Sequence, residues 1–344
     1  MKEMTEKDNY LLMLKGEHPE WVPMYTFGPM PSGKPPAQSM IGPSFLREGM
    51  RSPGITKDIW GVNYIPVAEA GGAKIPQTYD FILTDITKWR DVIKAPDISD
   101  IDWEMMAKKD LEKFPYDRKD TLLSYSLHQG YFQFLAEFMG FADGMMAMYE
   151  EPEEVQALVE YLSDFYYEVA VKSIDYYKPE IMDLCDDIAT AQNPFFSLDM
   201  YREIFKPAYV RLAKLAMDRG MYVSMHCCGH CEIFVDDWVK DLNLVAWNPA
   251  QTSNDIMAIK QKYNNKLAIC GAWDAQAHIE ELTTEDVIRQ SVRDAIDKYA
   301  PGGGYAFCGG FLGAVGDELA KQKNEWILTE AESYCRTFYQ THGA

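Results

Sequence analysis

The strongest constraint on this chain is the rhythm that begins at Asp120, where short β-branched or apolar runs alternate with stretches of helical period. Leu122 to Leu127, Ile181 to Cys185, Tyr222 to Met225, Leu244 to Trp247, Leu267 to Cys270 and Tyr305 to Phe307 read as strands. Between them, Phe132 to Met148, a run opening at Glu151-Pro152-Glu153-Glu154, Asp199 to Asp218, Cys231 to Val239 and a last run from about Asp317 to Phe338 read as helices. Ser253 is the expected cap of a helix before Leu267, and Thr283, with Asp286 three residues on, of the helix carrying Ile288, Val292 and Ile296. Strands alternating with helices imply βαβ units and a parallel sheet. About eight such units point to an α/β fold, a single (β/α)8 TIM barrel over residues 1–344, in which 1–118 form a less regular, elaborated N-terminal segment.

In that segment the reading is a helix over residues 1 to about 20 with Tyr10, Leu11 and Leu14 on one side, then a first strand from Val22 to Phe27. A Pro- and Gly-rich loop from Gly28 to Gly54 follows, then short strands at Trp60 to Ile65 and Tyr79 to Leu83, and a polar connector from Ala95 into a helix near Trp103. A doubly wound open sheet would give the same local signals. What separates the two is that Asp186, His226, Cys228, Asn248, Asp274 and Cys308 all fall near the carboxyl ends of strands, which in a barrel converge on one mouth.

Charge narrows the partners. A net charge of −20 argues against nucleic acid and against an anionic membrane surface. The N-terminal residues show no apolar signal core, and no run approaches the roughly 20 apolar residues of a membrane span, so the expected location is the cytoplasm. There, seven cysteines read as thiols and ligands rather than as disulfides.

Met221-Tyr-Val-Ser-Met-His-Cys-Cys-Gly229 is where chemistry concentrates. His226 and Cys228, two apart on an extended backbone, share a face and make half a zinc site. Cys308, ending another apolar strand and likewise followed by glycine, is the candidate third ligand. His230 and Cys231 could stand behind the site, or Cys231 could replace a ligand; Cys227 points the other way and reads as packing. Cys185, Cys270 and Cys335 read as core residues. Asp186 and Asp187 could hold a cation, orient a substrate or hydrogen-bond the ligand histidine, or one of them could simply cap the loop. Asn248, Gln251 and Asp274 offer fixed hydrogen bonds in the mouth, and Tyr25, Phe27 and Trp273 could wall it.

The order Asp186-Asp187, His226-x-Cys228-Gly229, Asn248-Pro249-x-Gln251, Gly271-x-x-Asp274 and a late Cys308 resembles the uroporphyrinogen decarboxylase superfamily, over roughly residues 55 to 340. More narrowly it looks like the zinc-dependent, corrinoid-linked methyltransferase branch, similar to the methylcobalamin:coenzyme M methyltransferases. That resemblance implies the (β/α)8 barrel and a Zn2+ held by His226, Cys228 and Cys308. The decarboxylases themselves carry an arginine-rich segment after the first strand, where this chain has Tyr25-Thr-Phe-Gly-Pro-Met-Pro-Ser32 and no arginine before Arg47.

The expected function is therefore methyl transfer between a corrinoid (methylcobalamin) on a partner corrinoid protein and a small substrate, either a thiol acceptor or a methyl ether type donor. Asp186, Asp187 and Asp274 are the expected catalytic carboxylates, and Tyr25, Phe27, Asn248, Gln251 and Trp273 the substrate contacts. Two rivals stand beside it: a metal-independent lyase working through Asp186 or Asp187, and a purely structural zinc closed by Cys231 or His230.

Overall fold

A computed structural model describes residues 4–47, 54–126, 129–278 and 283–343. Its ten strands are β1 (Gln38–Ile41), β2 (Thr56–Lys57), β3 (Asn63–Val67), β4 (Ala73–Pro76), β5 (Leu122–Ser126), β6 (Ile181–Cys185), β7 (Tyr222–His226), β8 (Ala246–Ala250), β9 (Ala268–Ala272) and β10 (Tyr305–Cys308). Seven form one curled, wholly parallel sheet in the order β1-β5-β6-β7-β8-β9-β10. Beyond β10 the chain near Met24 lies parallel to it: the Tyr25 amide donates to the Phe307 carbonyl at 2.8 Å and the Phe307 amide to Pro23 at 2.9 Å. The expected first strand, Val22 to Phe27, is thus reduced to a single bridge. β2, β3 and β4 form a separate antiparallel sheet.

The helices are α1 (Glu6–Leu14), α2 (Trp89–Val92), α3 (Trp103–Glu112), α4 (Tyr131–Met139), α5 (Phe141–Glu150), α6 (Pro152–Tyr177), α7 (Leu198–Met200), α8 (Lys206–Asp218), α9 (Glu232–Asp241), α10 (Ile256–Tyr263), α11 (Glu285–Tyr299) and α12 (Glu318–His342). Every residue of β5 and of β9 is buried, as expected of parallel strands covered on both faces. The curl has a visible consequence at the amino ends of the strands. Tyr10, Met13 and Leu14 of α1 cluster with Leu122, Ile181, Ala246, Ala268 and Ala306, the opening residues of five strands or their neighbours. One short helix reaches all five because the sheet bends around it. Thr5 and Asp8 start that helix with reciprocal side-chain to backbone bonds.

Several expected boundaries shift for identifiable reasons. The Gly28 to Gly54 stretch contains β1, whose sequence Gln-Ser-Met-Ile is too short and too polar to stand out. Phe132 to Met148 is two helices, because Gly140 at φ +85° lies against Phe81, where any Cβ would come within 2.7 Å of the ring. Tyr79 to Leu83 is not a strand: Tyr79 sits at φ 62° and is exposed. Trp60 belongs to the turn before β3, where Asp58 Oδ1 accepts from the amides of Trp60 and Val62. Asp255, not Ser253, caps α10, and α11 starts after Thr284 rather than Thr283, with no side-chain cap bond. Asp199 to Asp218 is one continuous helical run with a π turn at Tyr201–Phe205. Leu127, the last residue of one expected strand, lies outside the described residues.

Candidate metal centre

Strand register builds the site. Cys185 pairs with His226 and His226 with Asn248, while two residues earlier Asp183 pairs with Ser224. Because side chains alternate along a strand, Asp183 and Cys185 share a face, as do Ser224 and His226. Asn248 completes the row: its amide nitrogen donates to Asp183 Oδ1 at 3.2 Å, and its Oδ1 lies 3.0 Å from His226 Nδ1. With the amide oriented by Asp183, Asn248 Oδ1 accepts from the His226 Nδ1–H, which leaves Nε2 as the ring's free lone pair. Ser224 also donates to Asp183. Burial pushes the Asp183 carboxyl up, and Ser224, His226 and Asn248 draw it partly back.

At the end of this row, one ligand atom each from Asp187, His226 and Cys228 lies within 4.8 Å of the other two, all three residues being half-buried. The Cys228 amide donates to Asp187 Oδ1 at 2.9 Å, which ties the loop after β6 to the loop after β7. Burial, and next the Asp187 carboxylate, raise the Cys228 thiol well above its ordinary pKa. A nitrogen, a sulfur and a carboxylate oxygen converging in this way are a donor set that zinc accepts, with a cation supplying the charge that thiolate and carboxylate lack. Gly229 makes the convergence possible: at φ +89° its α-carbon faces the carbonyls of Ala189 and Thr190, each 2.6 Å from where a Cβ would stand.

The other expected ligands fall as follows. Cys308 ends β10 and lines an adjoining cleft, but is not within that same distance of all three members of the triad. Burial pushes its thiol up to about 12. The His230 ring stands 3.7 Å from Glu232, and the buried Cys231 sulfur points at the carbonyls of Gly229 and Cys227, 3.6 and 3.9 Å away. Among the described residues neither joins the triad.

Asp186 and Asp187 take different parts. Asp186 is buried and accepts from the Phe132 amide at 3.0 Å, the Gln133 amide at 3.2 Å and the Tyr209 hydroxyl at 2.6 Å, capping the start of α4. Burial pushes it up to about 7 against those three bonds. Asp274 is exposed and accepts from the amides of Gln276 and Ala277, holding its own turn.

The cleft beside the triad has a volume of about 510 Å³ and brings together Tyr25, Phe27, Gln251, Trp273 and Cys308, with Phe311 added from the loop after β10. Phe27 is 68% exposed and meets Tyr25 edge to face. Gln251 joins cleft to triad, its Oε1 accepting from the Gly229 amide at 2.9 Å. At the cleft's edge β8 and β9 slip in register between Trp247 and Ala250, and Gly271, at φ +136°, accommodates the Ala250 backbone.

Sequence reading missed Asp183, Ser224 and the placement of Cys185. The signal was available: an aspartate inside the apolar run Ile-Met-Asp-Leu-Cys, two residues before Cys185, and a serine two before His226.

The curled parallel α/β sheet, with its polar cluster and cleft at the carboxyl ends of the strands, is consistent with a TIM-like barrel. Residues 127–312, more than half of the chain, match the family model for uroporphyrinogen decarboxylase (URO-D), and the chain belongs to that family. No match is found among curated proteins.

Proposed function

We propose that this protein transfers a methyl group between a corrinoid carried by a partner protein and a small substrate held in the cleft, in the reducing cytoplasm. The observation that carries the reading is the convergence of Asp187, His226 and Cys228, joined through the Gly229 to Gln251 bond to a largely apolar cleft that also contains Cys308. We read the sheet as a complete eight-stranded barrel, with the Met24 segment as the eighth position. When bound, zinc would hold the substrate's heteroatom, either lowering the pKa of a thiol or polarising a methyl ether oxygen.

The chain's own residues do the rest. His226 offers Nε2 in an orientation set by Asn248 and Asp183. Cys228 supplies thiolate, and Cys308, which lines the adjoining cleft, is the proposed second. Asp187 has one oxygen held by the Cys228 amide, and its carboxylate is placed either to complete the donor set or to take the proton released by a thiol substrate. Tyr25, Phe27, Trp273 and Phe311 exclude water and favour a flat, uncharged substrate such as a methyl aryl ether. A lyase acting through Asp186 finds no support in a carboxyl already engaged by three donors.

The test is the zinc content of the purified protein beside Cys228→Ser, Cys308→Ser and Asp187→Asn, with circular dichroism on each. Wild type should hold about one zinc per chain, lost in folded Cys228→Ser. Transfer assays with methylcobalamin and thiols, and with cob(I)alamin and methyl aryl ethers, then fix the direction. Zinc absent from wild type purified without chelator would sink the proposal.

A further inference from the structure

The cleft of about 510 Å³ falls within the roughly 300–1,000 Å³ of small-molecule sites, and among the described residues no charged side chain lines it. Its polar side chains are few, and most are already committed. Thr26 donates its hydroxyl proton to the Gly28 carbonyl at 2.9 Å. Asn324 spends both ends of its amide on Phe311, accepting from the backbone N–H at 2.7 Å and donating to the carbonyl at 2.9 Å, which pins the loop after β10 to α12. Tyr25 lines the cleft, but its hydroxyl is buried near Gln38 and Asp183. Gln251 is the exception. Its Oε1 accepts from the Gly229 amide at 2.9 Å, and its amide nitrogen, which has no partner among the described residues, keeps two free donors. The residue is also held at its backbone: the Gln251 carbonyl accepts from Asn254 Nδ2 at 2.9 Å, and that nitrogen donates to the Gly229 carbonyl at 2.8 Å. Asn254 Oδ1 takes the amides of Cys231 and Glu232, at 2.9 Å each. Two side chains from the loop after β8 thus grip the backbone that follows Cys228, which fixes the Gln251 amide.

We propose that Gln251 is the specificity-determining residue of the cleft, and that the substrate is a neutral aryl molecule carrying a hydrogen-bond-accepting oxygen that the Gln251 amide N–H takes. The aromatic wall supplies contact area but no charge, so an ionised group entering the cleft would lose its water without compensation. An accepting oxygen recovers its hydrogen bond at Gln251. An analogue without that oxygen leaves the amide nitrogen stripped of water and unpaired, which is how a polar group in a closed site rejects an isostere. The inference rests on the reading of the cleft as the substrate site and not on the zinc, because the donor belongs to Gln251 whether or not a metal is held.

The experiment is isothermal titration of the purified full chain with acetophenone and with its hydrocarbon isostere 2-phenylpropene. It is run on wild type, Gln251→Glu and Gln251→Leu, with zinc content and circular dichroism recorded for each. In a cleft without a donor the ketone binds more weakly than the hydrocarbon, because its bonds to water are not replaced. Wild type is expected to bind the ketone at least as tightly as the hydrocarbon. Gln251→Glu keeps an acceptor for the Gly229 amide and removes the donors, whereas Gln251→Leu removes both. In either folded variant the ketone should fall by about tenfold relative to the hydrocarbon. A role confined to holding the loop after β7 would weaken both probes alike and leave that ratio unchanged. Absence of ketone binding at millimolar concentration, a ketone weaker than the hydrocarbon in wild type, or an unchanged ratio in the folded variants would each overturn the assignment. Ketone preference lost on substitution, in a protein that holds no zinc, would sink methyl transfer and leave Gln251 as the donor of the cleft.

Discussion

His226 Nδ1 and Asn248 Oδ1 stand 3.0 Å apart, and Asn248 is itself held by Asp183 on the neighbouring strand. A ligand histidine held through its second nitrogen keeps one tautomer and one ring orientation. If His226 holds zinc as proposed, Asn248→Ala should lower zinc affinity about 10- to 100-fold without unfolding the sheet. Competition with a chromophoric chelator measures it. Unchanged affinity in the folded variant would mean that Asn248 does not orient the ring.

Asp186 is predicted to matter for folding first. Removing it leaves the Phe132 and Gln133 amides and the Tyr209 hydroxyl without their acceptor, so Asp186→Ala should cost about 2–4 kcal/mol in urea unfolding. A variant as stable as wild type but catalytically dead would restore Asp186 to the reaction.

Two glycines should behave differently on substitution. Gly271→Ala puts a Cβ 2.5 Å from the Ala250 carbonyl oxygen at a φ of +136° and should cost roughly 3 kcal/mol or more. Gly302 has φ +78° with open space around it, so Gly302→Ala should cost only about 1–2 kcal/mol. Similar thermal unfolding of the two variants would mean that the register slip of β8 on β9 does not need Gly271.

Glu137 gives the protein a pH signature. Its carboxyl is raised by burial from an ordinary value near 4.5 to about 8, so between these values the folded chain holds a proton that the unfolded chain has released. Its contribution to stability therefore falls as pH rises through that window and levels off above about 8. Glu137→Gln should remove this slope and unfold later than wild type at pH 8, by on the order of 2–4 kcal/mol, with little difference at pH 4.5. Parallel pH profiles for the two proteins would show that Glu137 titrates normally.

The sequence by itself determined the order of elements from β5 to α12, the parallel sheet, and His226 and Cys228 as neighbours on one strand face. Each of these follows from spacing along the backbone: alternation in strands, the 3.6-residue period in helices. It also brought Tyr25, Phe27, Gln251, Trp273 and Cys308 to one cleft, but expected Asn248 and Asp274 there as well, whereas Asn248 bonds His226 and Asp274 holds its own turn.

Only the tertiary structure decided how Asp186 and Asp187 divide their work. The two are adjacent in sequence and identical in chemistry, but one meets the amides at the start of α4 and the other meets Cys228. Which neighbour each finds depends on helix placement from residues some 50 positions away, which no local pattern encodes. The same holds for the Asp183, Asn248 and His226 relay, whose members come from separate strands. The fixed tautomer of His226 arises from packing, and it becomes legible only once neighbouring strands stand in register.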